Sequence, residues 1–292
     1  MKQLLILSGK GGTGKTTVAS AFIKTEHARA YADCDVDAPN LHLVLEQINQ
    51  PQVTDYYGMP KAEINPELCA KCDRCREHCR FDAVLVDDGV YHVDPFACEG
   101  CGVCMVVCPV RAISLQPHLA GELMLYANDD TVFSTAQLKM GSGTTGMLVT
   151  EVKKQMKSVD VHADIAIIDG SPGIGCPVIA SLSGVDMVLI VAEPSVSGIS
   201  DMERIIKTAQ TFHTRIAVCV NKYNTNLENT QKIKAYCEQM NLPYTGSIPY
   251  DENAVKAIND GKTIVDIVCD AGFAVRKVFN NTIRVLLDKN QQ

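Results

Sequence analysis

The stretch SGKGGTGKTT, Ser8–Thr17, decides which fold the rest of the chain is expected to adopt. It follows an apolar run, opens a helical pattern and fits G-x-x-x-x-G-K-[ST] from Gly9 to Thr16. Glycines let backbone N–H groups turn toward phosphate, and the N-terminus of a helix favours negative charge. In this loop Lys15 would reach the β- and γ-phosphates of a nucleotide, and the Thr16 hydroxyl would bind Mg²⁺. The predicted phosphate-binding residues are Gly9, Gly11, Gly12, Thr13, Gly14, Lys15, Thr16 and Thr17.

Outward from this loop, short apolar runs alternate with segments of helical periodicity. The runs are Leu4–Leu7, Ala28–Ala32, Ile165–Ile168, Met187–Val191 and Ile216–Val220. The helical segments are Thr16–Lys24, Gly146–Lys157, Ile199–Phe212 and Glu228–Met240. Continuous apolar runs of this kind are typical of buried parallel strands. The alternation therefore predicts an α/β fold with a doubly wound, mostly parallel sheet.

Acidic side chains follow two of the predicted strands. Asp169 ends the apolar run IAIID, as the acid of a Walker B strand does, and Asp33 and Asp35 lie in DCDVD. Open α/β sheets bind ligands at the carboxyl ends of their strands. We therefore expect these carboxylates to lie beside the phosphate-binding loop, where they would serve the metal and the attacking water.

The segment 61–117 interrupts this alternation. It is predicted to be a small domain inserted into a larger one that comprises 1–60 and 118–292. The segment contains an internal repeat, because Ile64–Val86 aligns with Val93–Leu115 at an offset of 29 residues. Each cysteine of the first copy matches a cysteine of the second. Two copies of one small unit indicate pseudo-twofold symmetry.

The repeat holds eight cysteines in two runs, each with the spacing C-x2-C-x2-C-x3-C. This spacing resembles that of the bacterial two-cluster ferredoxins, in which the fourth cysteine of each run binds the other cluster. Zinc is the alternative, but zinc sites use two cysteine pairs separated by a longer loop. The resemblance implies a ferredoxin-like α+β domain with two 4Fe–4S clusters, one held by Cys69, Cys72, Cys75 and Cys108, the other by Cys79, Cys98, Cys101 and Cys104.

The nucleotide motifs together resemble those of the MinD/ParA family of P-loop ATPases. A lysine, Lys10, stands directly before the double glycine of the loop. DCDVDAPNL at Asp33–Leu41 is similar to the family's switch I, and IIDGSPGIG at Ile167–Gly175 is similar to its Walker B and switch II. Val220–Lys222 and Ile248–Asp251 resemble its adenine-side motifs. The motifs occur in the family's order and span nearly all of the chain outside the insert.

The resemblance implies a homodimer that closes around two ATP·Mg²⁺ and hydrolyses ATP to ADP and phosphate. Lys10 would reach across the dimer interface to the partner's phosphates, as an arginine finger does. Lys15 would bind the phosphates within its own chain, and Asp35 would position the attacking water. Mg²⁺ would be held by Thr16, Asp33 and Asp169, and the adenine side would be formed by Asn221, Pro249 and Asp251.

Composition limits the possible partners of the chain. A formal net charge of −7 over 292 residues leaves no broadly basic face, so no nucleic-acid partner is expected. No signal peptide precedes the first strand and no apolar run approaches about 18 residues, so we expect a soluble, cytoplasmic protein. The stretch Val275–Leu287 lacks a concentrated basic face and is expected to pack rather than to contact a membrane. Five further cysteines are expected to be buried: Cys34, Cys176, Cys219, Cys237 and Cys269.

Three functions are compatible with the sequence. The first is a nucleotide-switched homodimer that couples ATP state to electron transfer through the clusters to a redox or metallocofactor partner protein. The second is an ATPase that assembles or carries iron–sulfur clusters or another metal cofactor. The third is a MinD-like positioning switch with a redox sensor. The full set of four cysteines in each run is typical of permanent clusters and favours the first.

Overall fold

The chain forms two compact units. The computed structural model describes residues 1–45 and 49–288. The first unit comprises Met1–Val53, Leu123–Gln137 and Thr145–Gln292, and the second comprises Thr54–Glu122 and Leu138–Thr144. The predicted insert, 61–117, falls within the larger segment of the second unit.

The strands and helices follow the predicted alternation. The strands are β1 (Lys2–Leu7), β2 (Ala30–Asp33), β3 (Gln52–Tyr57), β4 (Lys61–Ile64), β5 (Val84–Asp87), β6 (Val90–Val93), β7 (Ile113–Gln116), β8 (Leu119–Ala127), β9 (Val132–Leu138), β10 (Ile165–Asp169), β11 (Met187–Ala192), β12 (Arg215–Asn221) and β13 (Tyr244–Ile248). The helices are α1 (Lys15–Glu26), α2 (Leu41–Val44), α3 (Arg74–Glu77), α4 (Val103–Val107), α5 (Thr145–Ser158), α6 (Cys176–Leu182), α7 (Val196–Thr211), α8 (Leu227–Gln239), α9 (Glu252–Asn259) and α10 (Asp270–Leu287).

The large sheet is mostly parallel, as predicted. Its nine strands lie in the order β13-β12-β11-β1-β10-β2-β9-β8-β3. Strand β1 pairs in parallel with β10 and β11, and β10 pairs in parallel with β2. The register places Asp169 directly opposite Asp33, with Ile6 opposite Asp169 on the other side. The phosphate-binding loop and both acidic strand ends therefore meet at one edge of the sheet.

Apolar side chains on both faces of this sheet form the core of the first unit. From Leu4 to Leu7 and from Ile165 to Ile168 every residue is at most 5% exposed. Helices α1 and α10 pack together, with the rings of Phe22 and Phe279 edge to face at 5.1 Å. Each such buried side chain contributes about 1.5–3 kcal/mol. The prediction that the C-terminal stretch packs on the fold is confirmed. Among the described residues, no helix combines the length and apolarity needed to cross a bilayer.

The second unit has the symmetry that the sequence repeat predicts. Strand β4 pairs antiparallel with β7, and β5 pairs antiparallel with β6. Equivalent positions make equivalent bonds across the repeat: the Asn65 amide donates to the Ala112 carbonyl at 2.8 Å, and the Asp94 amide donates to the Ala83 carbonyl at 2.8 Å. A small core of apolar and cysteine side chains lies between the copies.

The segment Leu138–Thr144 belongs to the second unit, although the sequence analysis assigned it to the larger domain. The Lys139 amide donates to the Ala120 carbonyl at 2.8 Å. Gly141 has φ 75°, and a Cβ there would lie 2.9 Å from the ring of Phe96. Glycine permits both this conformation and this close approach, so the loop fits against the repeat at that point.

Candidate functional site

The phosphate-binding loop connects β1 to α1, which is the context that its motif requires. Residues at the end of β12 brace it from outside. The Asn221 amide Nδ2 donates to the Thr13 carbonyl at 2.7 Å, and the Lys222 ammonium donates to the Gly12 carbonyl at 2.8 Å. The sequence predicted a contact from Asn221 to adenine, and the structure shows its amide holding the loop. The contact made by Lys222 was not predicted.

The structure gives Gly14 a strict requirement for glycine. Its φ is 92°, and a Cβ there would overlap the Nδ2 of Asn221. We expect Gly14→Ala to lower the free energy of unfolding by about 1–3 kcal/mol, because left-handed strain adds to the displacement of Asn221. Thermal unfolding without nucleotide measures this loss. The matched variant is Gly11→Ala, because a Cβ at Gly11 would meet no described heavy atom within 4 Å. Equal melting temperatures for the two variants would contradict this account.

Lys15 lies among three carboxylates at the start of α1. It is 5% exposed, and its ammonium lies 2.6 Å from Asp169 Oδ1 and 4.0 Å from Asp35 Oδ2. The Thr16 hydroxyl donates to Asp169 Oδ2 at 2.7 Å. Burial alone would lower the pKa of Lys15, but the carboxylates of Asp169, Asp33 and Asp35 outweigh it and raise that pKa. The ammonium is therefore held charged, beside the position where phosphates would enter.

The predicted magnesium ligands differ in how many hydrogen bonds they already make within the chain. The carboxylate of Asp33 accepts three backbone amides, each at 3.0 Å, from Asp35, Asn40 and Leu41. Asp33 therefore shapes the loop that presents Asp35. Burial and the nearby Asp169 raise the pKa of Asp33 to about 7, and burial raises the pKa of Asp35.

Among the described residues, no three His, Cys, Asp or Glu side chains form a group that could hold one metal ion. Magnesium does not require such a group, because it is commonly held by one or two carboxylates together with substrate phosphates. Thr16 and Asp169, already joined by a hydrogen bond at 2.7 Å, are suited to that role.

Lys10 is held within its own chain by the connection between β11 and α7. Its ammonium lies 3.1 Å from Glu193 Oε2 and donates to the hydroxyls of Ser195 at 3.3 Å and Ser197 at 3.2 Å. Its side chain remains 36% exposed. Glu193 could not be predicted from the sequence, because nothing in the spacing of the motif indicates that Lys10 pairs with a residue so distant in the chain.

A cavity of about 440 Å³ opens beside the loop. This is within the range of small-ligand and cofactor sites. On one side it is lined by the loop and on the other by largely apolar residues that include Ile248, Pro249, Tyr250 and Ile264. Asp251 also lines it, but its carboxylate caps α9 by accepting the Asn253 amide at 2.9 Å and accepts the Ala271 amide at 3.2 Å. Asp251 thus fixes the wall of the cavity by joining two helix starts.

In the second unit, the cysteines surround two separate cavities. Each cavity is lined by three cysteines of one run and the fourth cysteine of the other run. The first set is Cys69, Cys72, Cys75 and Cys108, and the second set is Cys79, Cys98, Cys101 and Cys104. These are the two ligand sets that the sequence predicts.

Backbone amides point at several of these sulfurs. The Ala83 amide donates to Cys79 Sγ at 3.4 Å, and the Ala112 amide donates to Cys108 Sγ at 3.3 Å, at equivalent positions of the repeat. Such bonds stabilise thiolates and tune the potential of an iron–sulfur cluster. A cluster does not require its four sulfurs to converge on one point, because each binds a different iron, whereas a single zinc ion does require it.

Of the five remaining cysteines, four are buried as expected, but Cys176 is exposed at the first residue of α6. The expectation for Cys176 is therefore wrong. The residue follows the switch II-like segment, and the first buried residue of α6 is Val178. Cys34 is fully buried, and this burial raises the pKa of its thiol to about 12, which keeps it protonated and unreactive.

Behind the switch segment, a buried lysine of α5 holds the end of α6. Lys153 is 5% exposed and donates to the carbonyls of Ser181 and Ser183 at 2.6 Å and of Ala180 at 3.3 Å. The last carbonyls of a helix lack hydrogen-bond donors within the helix, and the Lys153 ammonium donates to three of them. The burial of Lys153 was not predicted, because a lysine in a helical pattern resembles any solvent-facing residue.

We expect Lys153→Met to destabilise the protein by about 1–3 kcal/mol at pH 7.5, because it leaves buried carbonyls unpaired. Burial lowers the pKa of Lys153 to about 8. Above pH 8 Lys153 loses its proton in the folded chain, whereas in the unfolded chain it keeps that proton up to about pH 10. The free energy of unfolding of the wild type therefore rises with pH over this range. The difference between wild type and variant should therefore grow between pH 7.5 and 9.5, as urea titrations can measure. A difference that shrinks over this range would contradict the assignment.

Known proteins are similar to this chain over its whole length and over part of it. The CobQ/CobB/MinD/ParA nucleotide binding domain family matches residues 4–264. An uncharacterised protein of Methanocaldococcus jannaschii is 29% identical over 290 residues, which are 95% of this chain and 95% of that protein. An uncharacterised ferredoxin of the same organism is 28% identical over 104 residues, covering 32% of this chain and 69% of the ferredoxin.

Solved structures show the same fold. The septum site-determining protein MinD of Pyrococcus horikoshii, solved as a complex with Mg-ADP, superposes with a TM-score of 0.58. The alignment covers 100% of this chain and 99% of that one at 17% sequence identity. The likeness establishes that the chain has the MinD-type α/β fold.

Proposed function

The chain belongs to the CobQ/CobB/MinD/ParA nucleotide binding domain family, and on that premise we propose that it is an ATP-hydrolysing homodimer whose nucleotide state governs electron transfer through two 4Fe–4S clusters. The proposed division of labour gives ATP to a MinD-like domain that corresponds to the first unit, Met1–Val53, Leu123–Gln137 and Thr145–Gln292. The clusters belong to an inserted ferredoxin-like domain, 61–117. The partner is a redox or metallocofactor protein.

The nucleotide part of the proposal is supported by the arrangement around Lys15. Its ammonium is ion-paired with Asp169 at 2.6 Å. With ATP and Mg²⁺ bound, Thr16 and Asp169 would hold the metal and the Lys15 ammonium would bind the phosphates. Asp35, half-buried and 4.0 Å from the same ammonium, would then hold the attacking water. The MinD relative solved with Mg-ADP supports this nucleotide chemistry.

The dimer part of the proposal is supported by Lys10. The side chain is partly exposed, and its partners are the half-buried Glu193 and two serine hydroxyls. A partly exposed ion pair of this kind is worth about 0–1 kcal/mol, so the phosphates of a partner subunit could readily compete for the ammonium. ATP would thereby connect two protomers, and hydrolysis would release them.

The observation that carries the electron-transfer part is the pair of cavities, each lined by four cysteines drawn from both runs. This distribution fits two 4Fe–4S clusters with crossed ligation. When bound, the clusters would supply one-electron redox chemistry. The relative named as a ferredoxin supports the assignment.

The decisive experiment uses protein purified without oxygen. We expect acid-labile sulfide, iron and a dithionite-dependent EPR signal, together with ATP hydrolysis whose rate or dimer fraction changes when the clusters are reduced. Lys15→Ala should slow reduction of the physiological acceptor without changing iron content. Hydrolysis and oligomeric state that are identical in oxidised and reduced protein would sink the coupling. Protein without iron or sulfide would sink the cluster assignment.

The two alternative functions have less support. Cluster carriage requires a labile site, whereas each cavity here has a complete set of four cysteines. A MinD-like positioning switch with a redox sensor would need a free amphipathic helix if it acted at a membrane, whereas α10 buries Val275, Val278, Phe279 and Leu286 in the first unit. Transfer of iron to an apo-acceptor, or a localisation that follows nucleotide state, would favour them instead.

A further inference from the structure

The two copies of the cysteine repeat differ sharply in the number of charged side chains around their cysteines. The first copy reads KCDRCREHCR at Lys71–Arg80, and the equivalent stretch of the second reads GCGVCMVVCP at Gly100–Pro109. The first stretch contains four of the five Lys and Arg residues of 64–116, and the second contains no charged residue. Both stretches form the same turn and short helix beside a cysteine cavity. The fold of the repeat therefore does not require the cations.

The four cations of the first copy lie at the surface. Lys71, Arg74, Arg76 and Arg80 are all exposed. Only Arg76 is in a salt bridge among the described residues of this stretch: its guanidinium binds Asp73 at 2.7 and 2.6 Å. Asp73 also accepts the Tyr91 hydroxyl at 2.9 Å, so that pair is fixed in place. Three cations of the stretch are left without such a partner.

The same stretch provides a route from solvent to one cavity. Cys72 lies between the cations in sequence, is exposed, and lines the cavity with Cys69, Cys75 and Cys108. The chain as a whole carries −7, and 64–116 carries −3 from five cations and eight acids. Within 71–80 the four cations outnumber Asp73 and Glu77, so this stretch carries +2. An acidic protein would therefore be repelled by the net charge of the molecule and attracted to this stretch, which would orient its approach.

We propose that Lys71, Arg74, Arg76 and Arg80 form a docking patch for a small acidic protein that carries a one-electron redox centre. This inference rests on the proposed function, because it assumes a cluster in the cavity beside Cys72. One electron passes from the docked carrier to that cluster, so the carrier is oxidised by one electron and the cluster is reduced by one. No bond is made or broken. The patch determines which carrier binds and at which end of the second unit.

The test uses an acidic two-cluster bacterial ferredoxin as the probe. Binding of the oxidised ferredoxin is measured by calorimetry, and electron transfer from the dithionite-reduced ferredoxin is measured by stopped flow, each at low and high salt. The variant is Arg74→Glu/Arg80→Glu, which leaves every cysteine and the Arg76–Asp73 pair intact. The matched control is Lys207→Glu/Lys277→Glu, which makes the same charge change at two exposed lysines of the first unit.

We expect wild-type affinity and rate to fall with rising salt, and the Arg74→Glu/Arg80→Glu protein to lose about tenfold or more in both at low salt. The control should stay within about twofold of wild type. Wild-type behaviour of the variant, or an equal loss in the control, would overturn the patch. Single-stranded DNA that competes as well as ferredoxin would also overturn it, since the stretch would then be a general polyanion site.

The same preparations separate this inference from the function on which it rests. Iron, sulfide and bleaching by dithionite are measured for every variant. Clusters that are present and reducible, with no effect of the charge reversal, overturn the docking patch alone. Protein without clusters overturns the proposed function and, with it, this inference.

Discussion

Lys15→Ala should reduce ATP hydrolysis at least about a hundredfold and abolish the thermal stabilisation that ATP gives. In the folded chain this ammonium is the cation nearest to Asp169 and lies within 4.0 Å of Asp35. It would also be the cation that neutralises the β- and γ-phosphates in the bound state. Charge stabilisation of this kind in a site that excludes water is worth several kcal/mol of the barrier.

The same substitution should also weaken the protein without nucleotide. Removing one partner of a buried ion pair costs about 3–5 kcal/mol, because a charge is left without compensation. Without Lys15, the carboxylates of Asp33 and Asp169 would repel each other without compensation. Burial and Asp169 already raise the pKa of Asp33, and the loss of Lys15 would raise that pKa further, so protonation of Asp33 would relieve the repulsion. The loss should therefore be smaller at pH 6 than at pH 8, which a pair of melting curves can show.

A control on the same helix separates these effects from general damage to α1. Lys24 lies in the last turn of α1, is 46% exposed and pairs with Asp266 at 3.3 Å. Lys24→Ala should cost about 1 kcal/mol or less and leave hydrolysis near the wild-type rate. If Lys15→Ala protein still melted at a higher temperature in the presence of ATP·Mg²⁺, the assignment of the phosphate site would be wrong.

Two parts of the nucleotide site could be predicted: the residues of one contiguous motif, and the residues at the ends of strands that pair with each other. The loop Gly9–Thr16 is one contiguous motif, and parallel pairing of β1, β10 and β2 brings Asp169 and Asp33 to the same edge without further information. The contacts that hold the loop from outside could not be predicted. Asn221 and Glu193 reach the loop from the ends of strands far along the chain, and the register and rotamers that bring them there depend on packing that no local pattern encodes.

In the second unit, the repeat predicted more than the spacing alone. An offset that aligns every cysteine implies two equivalent half-sites, and the matched bonds at Asn65 and Asp94 show that equivalence. The contribution of Leu138–Thr144 could not be foreseen, because this glycine-rich segment is separated from the repeat in sequence and resembles an ordinary loop before a helix. The exposure of Cys176 was not predicted, because cysteine is among the residue types most often buried and the sequence offers no further signal at this position.

Replacing Cys108 by alanine should remove about half of the iron and leave the cluster of the opposite ligand set intact. The reason is the crossed arrangement, in which Cys108 lines the cavity of Cys69, Cys72 and Cys75 rather than that of its own run. A 4Fe–4S cluster that loses one of four thiolates is held far less firmly. Iron and sulfide analysis of anaerobic protein measures the loss, and the EPR spectrum of the reduced protein should change from two interacting centres to one.

Double variants distinguish crossed ligation from ligation within each run. If Cys69 and Cys108 serve one cluster, Cys69→Ala/Cys108→Ala protein keeps about half of the iron, no less than the single variant, because both changes affect the same unit. Cys79→Ala/Cys108→Ala protein should then lose nearly all of it, since Cys79 lines the second cavity. Ligation within runs predicts that Cys69→Ala/Cys79→Ala would keep half and Cys69→Ala/Cys108→Ala would keep none.

Cys237→Ala is the matched control, because this buried cysteine of α8 lies in the first unit and should leave iron content unchanged. Zinc analysis of the same samples addresses the remaining alternative. Zinc in place of iron in wild-type protein prepared without oxygen would contradict the clusters and remove the basis for electron transfer. Iron that follows the crossed pattern would show that the two runs fold as one unit, since neither run could then hold a cluster without the last cysteine of the other.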